Sequence, residues 1–234
     1  MRIKDMTWMQ VEEYLKHDDR CVLPLGSTEQ HAYLSLSVDA ILAERMAADT
    51  ADPTGVPVFP VLAYGITPYF MAYPGTVTLT QGTYERVVGE VLESLHRHGF
   101  RRLMVVNGHG GNSVARPVME RWAAEKGGTR LIWHDWWKAP RTMAAVKTAD
   151  EAASHASWME GFPWTRVASA RPPAGHKAAV DLTGRENLTP EAFRERLGDG
   201  SFGGYYQRPD DELLAIWQIA VDESRELLER GWGS

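Results

Sequence analysis

The sequence has a single cysteine and no long apolar run, and both shortages restrict the class of protein it can be. With only Cys21 among 234 residues, the chain has neither a disulfide framework nor a thiolate zinc site. No apolar run approaches the roughly 18 residues that a membrane span needs, and the opening "MRIKDMTWMQ" lacks the apolar core of a signal peptide. We therefore expect a soluble, cytoplasmic protein without membrane partners.

Basic residues are also in short supply. The chain carries 25 Lys and Arg against 31 Asp and Glu, which gives a net charge of −6, and it shows no basic stripe. Nucleic-acid binders usually show such a stripe, so we expect no nucleic-acid partner. A chain of this length with 44% hydrophobic residues can bury a sizeable core, which predicts a single domain over residues 1–234.

Short β-like runs alternate with helical patterns up to about residue 135. "CVLPLG" and "RRLMVVNG" predict strands, while "DAILAERMAADTA" and "TYERVVGEVLESLHRHG" carry apolar residues at helical spacing. This alternation predicts a three-layer α/β/α sandwich with a mostly parallel central sheet. Prolines in "VPVFPVLAYG" indicate an edge strand or an interruption. After residue 140, turn-rich sequence predicts long functional or subunit-contacting loops, followed by the amphipathic helix "ELLAIWQIAVDESRELLER".

Three potential metal ligands follow the first predicted strand. Glu29 and His31 lie two residues apart, so their side chains point the same way in an extended backbone, and Asp39 can face them from the next helix. Carboxylates and an imidazole together suit Zn²⁺, Mn²⁺ or Fe²⁺. The alternative is that Asp39 only caps a helix and that Glu29 is a surface charge.

The glycine-rich run "VVNGHGGN" follows another predicted strand. Its glycines favour a tight turn from strand to helix, which would hold His109 at the sheet edge beside the first three residues. An anion-binding loop is one alternative, although no Lys-Ser/Thr pair follows the glycines. A simple turn without a functional role is another.

A third candidate segment is "SHASWMEG", in which His155 and Glu160 lie five residues apart. On a regular helix the two side chains would diverge by about 140°, so a loop or a helix start is expected if both serve one site. Tryptophans are numerous near this segment and are typical either of a core or of a small-molecule pocket. The residues predicted to contact the substrate are Tyr33, Gly110, Gly111, Trp133, Trp136 and Trp158.

Taken together, "GSTEQH" with a downstream aspartate, "NGHGGN" after a strand and a later "HAxxxE" resemble the creatininase family over about residues 20–160. The resemblance implies a three-layer α/β hydrolase that cleaves cyclic or linear amides with two divalent ions per subunit. Zn²⁺ is the expected metal, with Mn²⁺ or Fe²⁺ as alternatives. The resemblance also implies a homo-oligomer, in the form of a hexamer.

The resemblance implies roles for individual residues. Asp39 matches the aspartate that bridges both ions, and His155 matches the histidine that transfers a proton. A further family glutamate falls at Gly111 here, which makes Glu160 the expected replacement ligand and a second catalytic candidate. The full set of implied metal ligands is Glu29, His31, Asp39, His109 and Glu160.

The segment between the first ligands departs from the family pattern. "AYLSLSV" stands where the family has "GPHLPLxT", so the segment is one residue shorter and lacks a second histidine. We therefore expect a small-molecule amide other than creatinine, hydrolysed by a water held between two ions about 3.5 to 4 Å apart. A peptidase or formamide deformylase with the same centre is one alternative, and a non-catalytic metal- or small-molecule-binding protein is another.

Overall fold

The computed structural model describes residues 1–233. A parallel three-stranded sheet lies at its centre, and its register pairs Arg20 with Arg102 and Arg102 with Arg130. Because the register has no offset, all three strands end at the same edge of the sheet. In spatial order the strands are β1 (Arg20–Leu25), β2 (Arg102–Asn107) and β3 (Arg130–Asp135).

Helices make up most of the rest of residues 1–233. The α-helices are α1 (Trp8–Tyr14), α2 (Val38–Ala51), α3 (Gln81–His98), α4 (Arg116–Glu125), α5 (Pro140–Ala149), α6 (Pro190–Leu197) and α7 (Asp210–Arg230). Short 3₁₀ helices span Ile3–Asp5, Asp52–Thr54, Pro68–Phe70, Gly110–Ala115, Trp136–Lys138, Trp158–Glu160 and Arg185–Asn187. A small antiparallel hairpin pairs β4 (His176–Lys177) with β5 (Gly204–Tyr205). Within residues 1–233, no helix combines the length and apolarity that crossing a membrane would need.

Alternate residues of the strands face two separate cores. Val22 and Val106 pack in a core that also contains side chains of α2 and α7. Leu23 and Val105 point the other way, into a core formed with α3 and α4. Burial on both faces explains why the strand sequences are almost continuously apolar. The sheet therefore lies between two helical layers, as the sequence predicts.

The proline-containing segment after α2 runs beside β1 without forming a regular strand. It touches β1 through isolated parallel bridges, Val22 with Val58 and Leu25 with Leu62. Pro57 and Pro60 have no N–H to donate, so a continuous ladder is impossible there. The interruption expected from the prolines is confirmed.

The turn-rich sequence after residue 140 forms loops over most of residues 170–189 and 198–209, and the short helices α5 and α6 lie beside these loops. Helix α5 packs on α7, where Glu223 accepts hydrogen bonds from the backbone and the hydroxyl of Thr142 at 3.0 Å each. Helix α6 begins after Thr189, whose hydroxyl accepts a bond from the Ala192 N–H. Both helices are short and have proline in the first turn, and tertiary packing stabilises them more than their own periodicity does.

A buried histidine in β3 links stability to pH. His134 Nε2 lies 2.8 Å from the hydroxyl of Ser224 on α7, and that hydroxyl lies 2.7 Å from the Ala220 carbonyl. Because the hydroxyl donates to Ala220, it accepts a hydrogen bond from His134. Burial lowers the pKa of His134 from 6.5 to about 4, although Asp135 opposes the shift.

We predict that replacing His134 flattens the acid dependence of stability. Since the folded-state pKa is depressed, the unfolded chain takes up the proton first as the pH falls. Above about pH 6.5, His134 is neutral in both the folded and the unfolded chain, so it does not make the free energy of unfolding depend on pH. As the pH falls towards 4, protonation of the unfolded chain lowers that free energy by up to about 3 kcal/mol. In urea unfolding between about pH 7 and pH 4.5, His134→Gln should lose less stability than the wild type.

The exposed His98 offers a matched control for this experiment. His98→Gln should keep the wild-type pH dependence. If His134→Gln loses stability as steeply as the wild type, His134 is not the group responsible.

Candidate metal centre

The site lies at the edge of the sheet where the strands end. Glu29 follows β1, His109 follows β2, and Asp39 is in the first turn of α2. His155 and Glu160 reach the same place from the segment before and within the 3₁₀ helix Trp158–Glu160. The structure thus brings all the predicted ligands together, although they come from four separate parts of the chain.

The carboxylate of Asp39 lies between two histidines. Its Oδ1 is 3.1 Å from His31 Nε2, and its Oδ2 is 2.9 Å from His109 Nδ1. Glu29 Oε1 lies 3.4 Å from His109 Nδ1, and Glu160 Oε2 lies 3.7 Å from His31 Nε2. Two groups of potential ligands therefore share Asp39, and within each group the ligand atoms lie within 4.8 Å of one another.

Backbone carbonyls orient both imidazoles. His31 Nδ1 lies 3.2 Å from the Glu29 carbonyl, and His109 Nε2 lies 2.9 Å from the Ile66 carbonyl. A carbonyl accepts only, so these nitrogens carry the proton in the neutral rings. The lone pairs of His31 Nε2 and His109 Nδ1 then face Asp39, because a carbonyl that accepts from one ring nitrogen leaves the other free to bind metal.

Buried atoms without hydrogen-bond partners test whether these residues fit a metal. Glu29 Oε2, His31 Nε2 and Asp39 Oδ2 are buried and form no hydrogen bond. The His31–Asp39 pair is close, but it lacks the alignment of a hydrogen bond. Buried polar atoms are rarely left unpaired, and buried charges are costly unless paired or bound to metal. The nitrogen and oxygen donors fit a divalent cation in each of the two groups.

The buried charges strongly shift one another's pKa values. Burial alone would lower the pKa of His31, but Asp39, Glu160 and Glu29 outweigh it and raise that pKa to about 10. Burial acts against ionisation of Asp39 as well, yet His31 and His109 hold its pKa well below the ordinary value. Burial raises the pKa of Glu160 to about 7, and it lowers the pKa of His155 well below 6.5. The imidazoles of His31 and His109 thus stabilise the Asp39 carboxylate, which is the effect that a bound cation would also have.

Two asparagines shape the turn that carries His109. The Asn107 amide donates to the His109 carbonyl at 2.8 Å and to Asp135 at 2.7 Å. The Asn112 amide donates to the Gly26 carbonyl at 3.0 Å, which ties the turn to the end of β1. The sequence pattern "NGHGGN" contains both asparagines, but it does not show what their side chains contact. They are the residues that hold the histidine in place.

Gly111 lies where no side chain can fit. A Cβ atom at this position would overlap the Ile66 carbonyl oxygen and would lie 2.5 Å from His109 Nε2. The same carbonyl accepts the hydrogen bond that orients His109. The family glutamate that falls at this position therefore has no room here, which leaves Glu160 as the available carboxylate.

His155 and Glu160 lie on a loop that leads into a 3₁₀ turn, as their spacing predicts. Ala156 has a left-handed φ of 58°, and its N–H donates to Glu160 Oε2 at 2.6 Å. This reversal brings Glu160 back towards His31. The His155 ring stacks on Phe70 at 4.9 Å, with Nδ1 3.8 Å from Glu29 Oε1 and Nε2 3.1 Å from the Gln30 carbonyl.

A cavity of about 490 Å³ opens over the proposed ligands, and its lining includes Gly110 and Gly111 as predicted. Four other predicted substrate contacts lie elsewhere and need correction. Trp133 and Trp136 pack in the two cores. Trp158 is buried, and its indole N–H donates to Asp150 at 2.9 Å. Tyr33 packs edge-on against Tyr206 and lines a different, smaller cavity.

The remaining cavity wall comes from residues that the sequence did not single out for this role. Its aromatic members include Tyr69 and Phe70 from the 3₁₀ helix Pro68–Phe70, together with Trp137, Phe193 and Phe202. Lys138, Lys147 and Arg185 also line it. No local pattern marks these residues, because they come from five separate segments.

The family model described as creatinine amidohydrolase matches residues 4–203. The chain belongs to the creatininase family. A creatinine amidohydrolase from Pseudomonas putida is 33% identical over 120 residues, which cover 48% of this chain and 46% of that protein. A 3-dehydro-scyllo-inosose hydrolase from Thermotoga maritima is also 33% identical over 120 residues, covering 50% of this chain and 39% of the relative. The aligned part is thus less than half the length of either relative.

Solved structures show the same fold over the whole chain. A mutant creatininase of the Zn-Zn type superposes with a TM-score of 0.78 at 21% identity, covering 100% of this chain and 98% of the other. The predicted creatininase-like α/β architecture is therefore confirmed.

We predict that a single methyl group at residue 111 weakens metal binding. Gly111→Ala must push the Ile66 carbonyl away and so remove the acceptor that orients His109. Loss of such an outer contact typically costs 10- to 100-fold in metal affinity, and we expect a drop of about that size in zinc titrations with a competing chelator. Gly110→Ala is the matched control, since a Cβ there meets no atom within 4 Å. Equal zinc affinity in the two variants would contradict this role of Gly111.

Proposed function

We propose that this protein is a hydrolase that uses two divalent metal ions, most readily Zn²⁺, to cleave the amide C–N bond of a small molecule. The observation that carries the proposal is the position of Asp39, whose two carboxylate oxygens face two different histidines. A carboxylate placed in this way can bridge two ions. Family membership and the unpartnered buried donor atoms support the same function.

Each ion has its own set of ligands in this proposal. Glu29 and His109 hold one ion, His31 and Glu160 hold the other, and Asp39 is shared. Bound divalent ions would supply an activated water and a Lewis acid for the scissile carbonyl. The chain contributes the ligand geometry, the neutral tautomers of His31 and His109, and a partly apolar cavity for the substrate.

His155 is the proposed proton donor to the leaving nitrogen. It lines the cavity, and its Nδ1 lies 3.8 Å from Glu29 Oε1, next to one of the proposed ion positions. Stacking on Phe70 fixes the plane of its ring. Because burial holds its pKa well below 6.5, the His155 ring is neutral near pH 7, so it can first accept a proton and then deliver it to the leaving nitrogen. Glu160 is placed to hold metal, and it is close enough to the cavity to assist in proton transfer.

The substrate is proposed to be an amide other than creatinine. The segment between His31 and Asp39 is shorter than in the family pattern, and relatives of similar identity carry the names of two different hydrolases. A peptidase or formamide deformylase with the same centre, or a metal-binding protein without turnover, would share the ligand geometry. Hydrolysis of cyclic amides, imides and formamides by the metal-loaded protein distinguishes these functions. The homohexamer stays a prediction from the resemblance.

We predict that Asp39→Asn reduces the metal content from about two ions per chain to one or fewer. Asparagine keeps the shape of aspartate, but it offers one neutral oxygen in place of two charged ones. The measurement is elemental analysis after zinc loading and gel filtration. Glu44→Ala on the same helix is the control and should bind zinc like the wild type. If Asp39→Asn retains two ions, Asp39 does not bridge; if the wild type binds well under one ion, the metal-centre proposal fails.

His155→Gln should retain both ions and lose turnover. Without the imidazole the main proton donor to the leaving nitrogen is lost, and such a loss typically lowers the rate by about 10²- to 10⁴-fold. The measurement is kcat on the best amide found in the panel, together with the metal content of the same sample. His98→Gln should leave both unchanged. Wild-type turnover by His155→Gln would remove His155 from the mechanism.

A further inference from the structure

Three cationic side chains line the cavity above the metal centre. Lys138 ends the 3₁₀ helix Trp136–Lys138, Lys147 lies in α5, and Arg185 begins the 3₁₀ helix Arg185–Asn187. All three residues are exposed, so their charged groups can meet a ligand that enters the cavity from solvent. Within residues 1–233, the three cavity cations have no carboxylate within 4.0 Å. Lys147 instead donates to the backbone carbonyls of Glu151 and Ala153, which holds its ammonium group at the cavity edge.

The acidic side chains that line the cavity equal the three cations in number, but they are placed to neutralise bound metal instead. They are Glu29, Asp39 and Glu160, all of them proposed metal ligands. When two divalent ions are bound, their four positive charges exceed the three negative charges of these carboxylates. The cavity is then strongly positive, although the chain as a whole has a net charge of −6. Such a cavity attracts and orients anions.

The rest of the cavity offers an apolar surface. Tyr69, Phe70, Phe193 and Phe202 line it, together with Met143. A neutral amide could occupy this surface and the metal centre, but it would leave all three cations without an anionic partner. A carboxylate, sulfonate or phosphate group would give them charge-assisted hydrogen bonds, which are stronger than neutral ones.

We propose that the substrate carries an anionic group remote from its scissile amide bond, and that Lys138, Lys147 and Arg185 bind that group. The substrate class is thus an amide acid rather than a neutral amide. This inference rests on the proposed function, because it places the substrate in this cavity and counts two bound divalent ions in the charge of the cavity. The three cations then act in recognition and orientation, while the ligands and His155 act on the amide.

Two small probes of similar size test the charge preference directly. Benzenesulfonate has a ring for the aromatic wall and an anionic group that coordinates zinc poorly, and benzyl alcohol is its neutral counterpart. Calorimetric titration of the zinc-loaded protein should show benzenesulfonate binding at least about ten-fold more tightly. The combined variant Lys138→Met, Lys147→Met and Arg185→Met should lose this preference, and the combined Lys138→Arg, Lys147→Arg and Arg185→Lys should retain it.

A variant with the same change in net charge controls for long-range electrostatics. Arg86, Arg97 and Arg121 are exposed and lie outside the cavity lining. Their combined replacement by Met should leave the preference at the wild-type value. Equal affinity of the wild type for the two probes, no measurable benzenesulfonate binding, or an equal loss in the control variant would each overturn the inference.

Metal content measured on the same samples separates this inference from the proposed function. Two bound ions without a preference for benzenesulfonate would overturn the anionic substrate and leave the hydrolase proposal in place. If the wild-type protein binds no zinc but still prefers benzenesulfonate, the metal-centre proposal fails while the anion site stands.

Discussion

The site depends on one interaction, the sharing of the Asp39 carboxylate between His31 and His109. For both contacts to form, the first turn of α2 must lie directly against the ends of β1 and β2. Gly108 permits this approach, because a Cβ there would overlap the Asp39 carbonyl oxygen and lie 3.0 Å from Ala43 Cβ. The parallel register supplies the rest, since it brings the ends of the strands to one edge. The geometry of the centre is thus a property of the sheet and α2 together.

The parts of the molecule that the sequence predicts well are those with a local signal. The strands, α2 and α3 follow from apolar periodicity, and the placement of Glu29, His31 and His109 at one edge follows from their positions after strands. Glu160 as a ligand comes from the family resemblance. Helix α6 and the cavity wall lack such a signal, because contacts such as Phe70 with Phe193 join segments more than a hundred residues apart. The predicted tryptophan contacts show that residues close in sequence to the site need not line the cavity. Trp133 and Trp158 are near the site in sequence, but core packing and the bond to Asp150 commit them elsewhere.

Two alanines at the site adopt a conformation that usually favours glycine. Ala32 has φ of 50° directly after His31, and Ala156 has φ of 58° directly after His155. A left-handed conformation costs an alanine about 1 kcal/mol or more, and it persists only where surrounding contacts enforce it. Here those contacts are the Ala32 N–H bond to Gln30 and the Ala156 N–H bond to Glu160. Backbone strain therefore accompanies the placement of both histidines.

The tight packing at Gly111 also bears on how such a centre can change over generations. The Ile66 carbonyl occupies the space that a side chain at residue 111 would need. A codon change to glutamate at this position alone would therefore create a clash before it could create a ligand. The backbone around Ile66 would have to shift first, while His109 would still need another acceptor for its Nε2 proton. A glutamate at residue 111 is therefore expected only together with substitutions that move the backbone around Ile66.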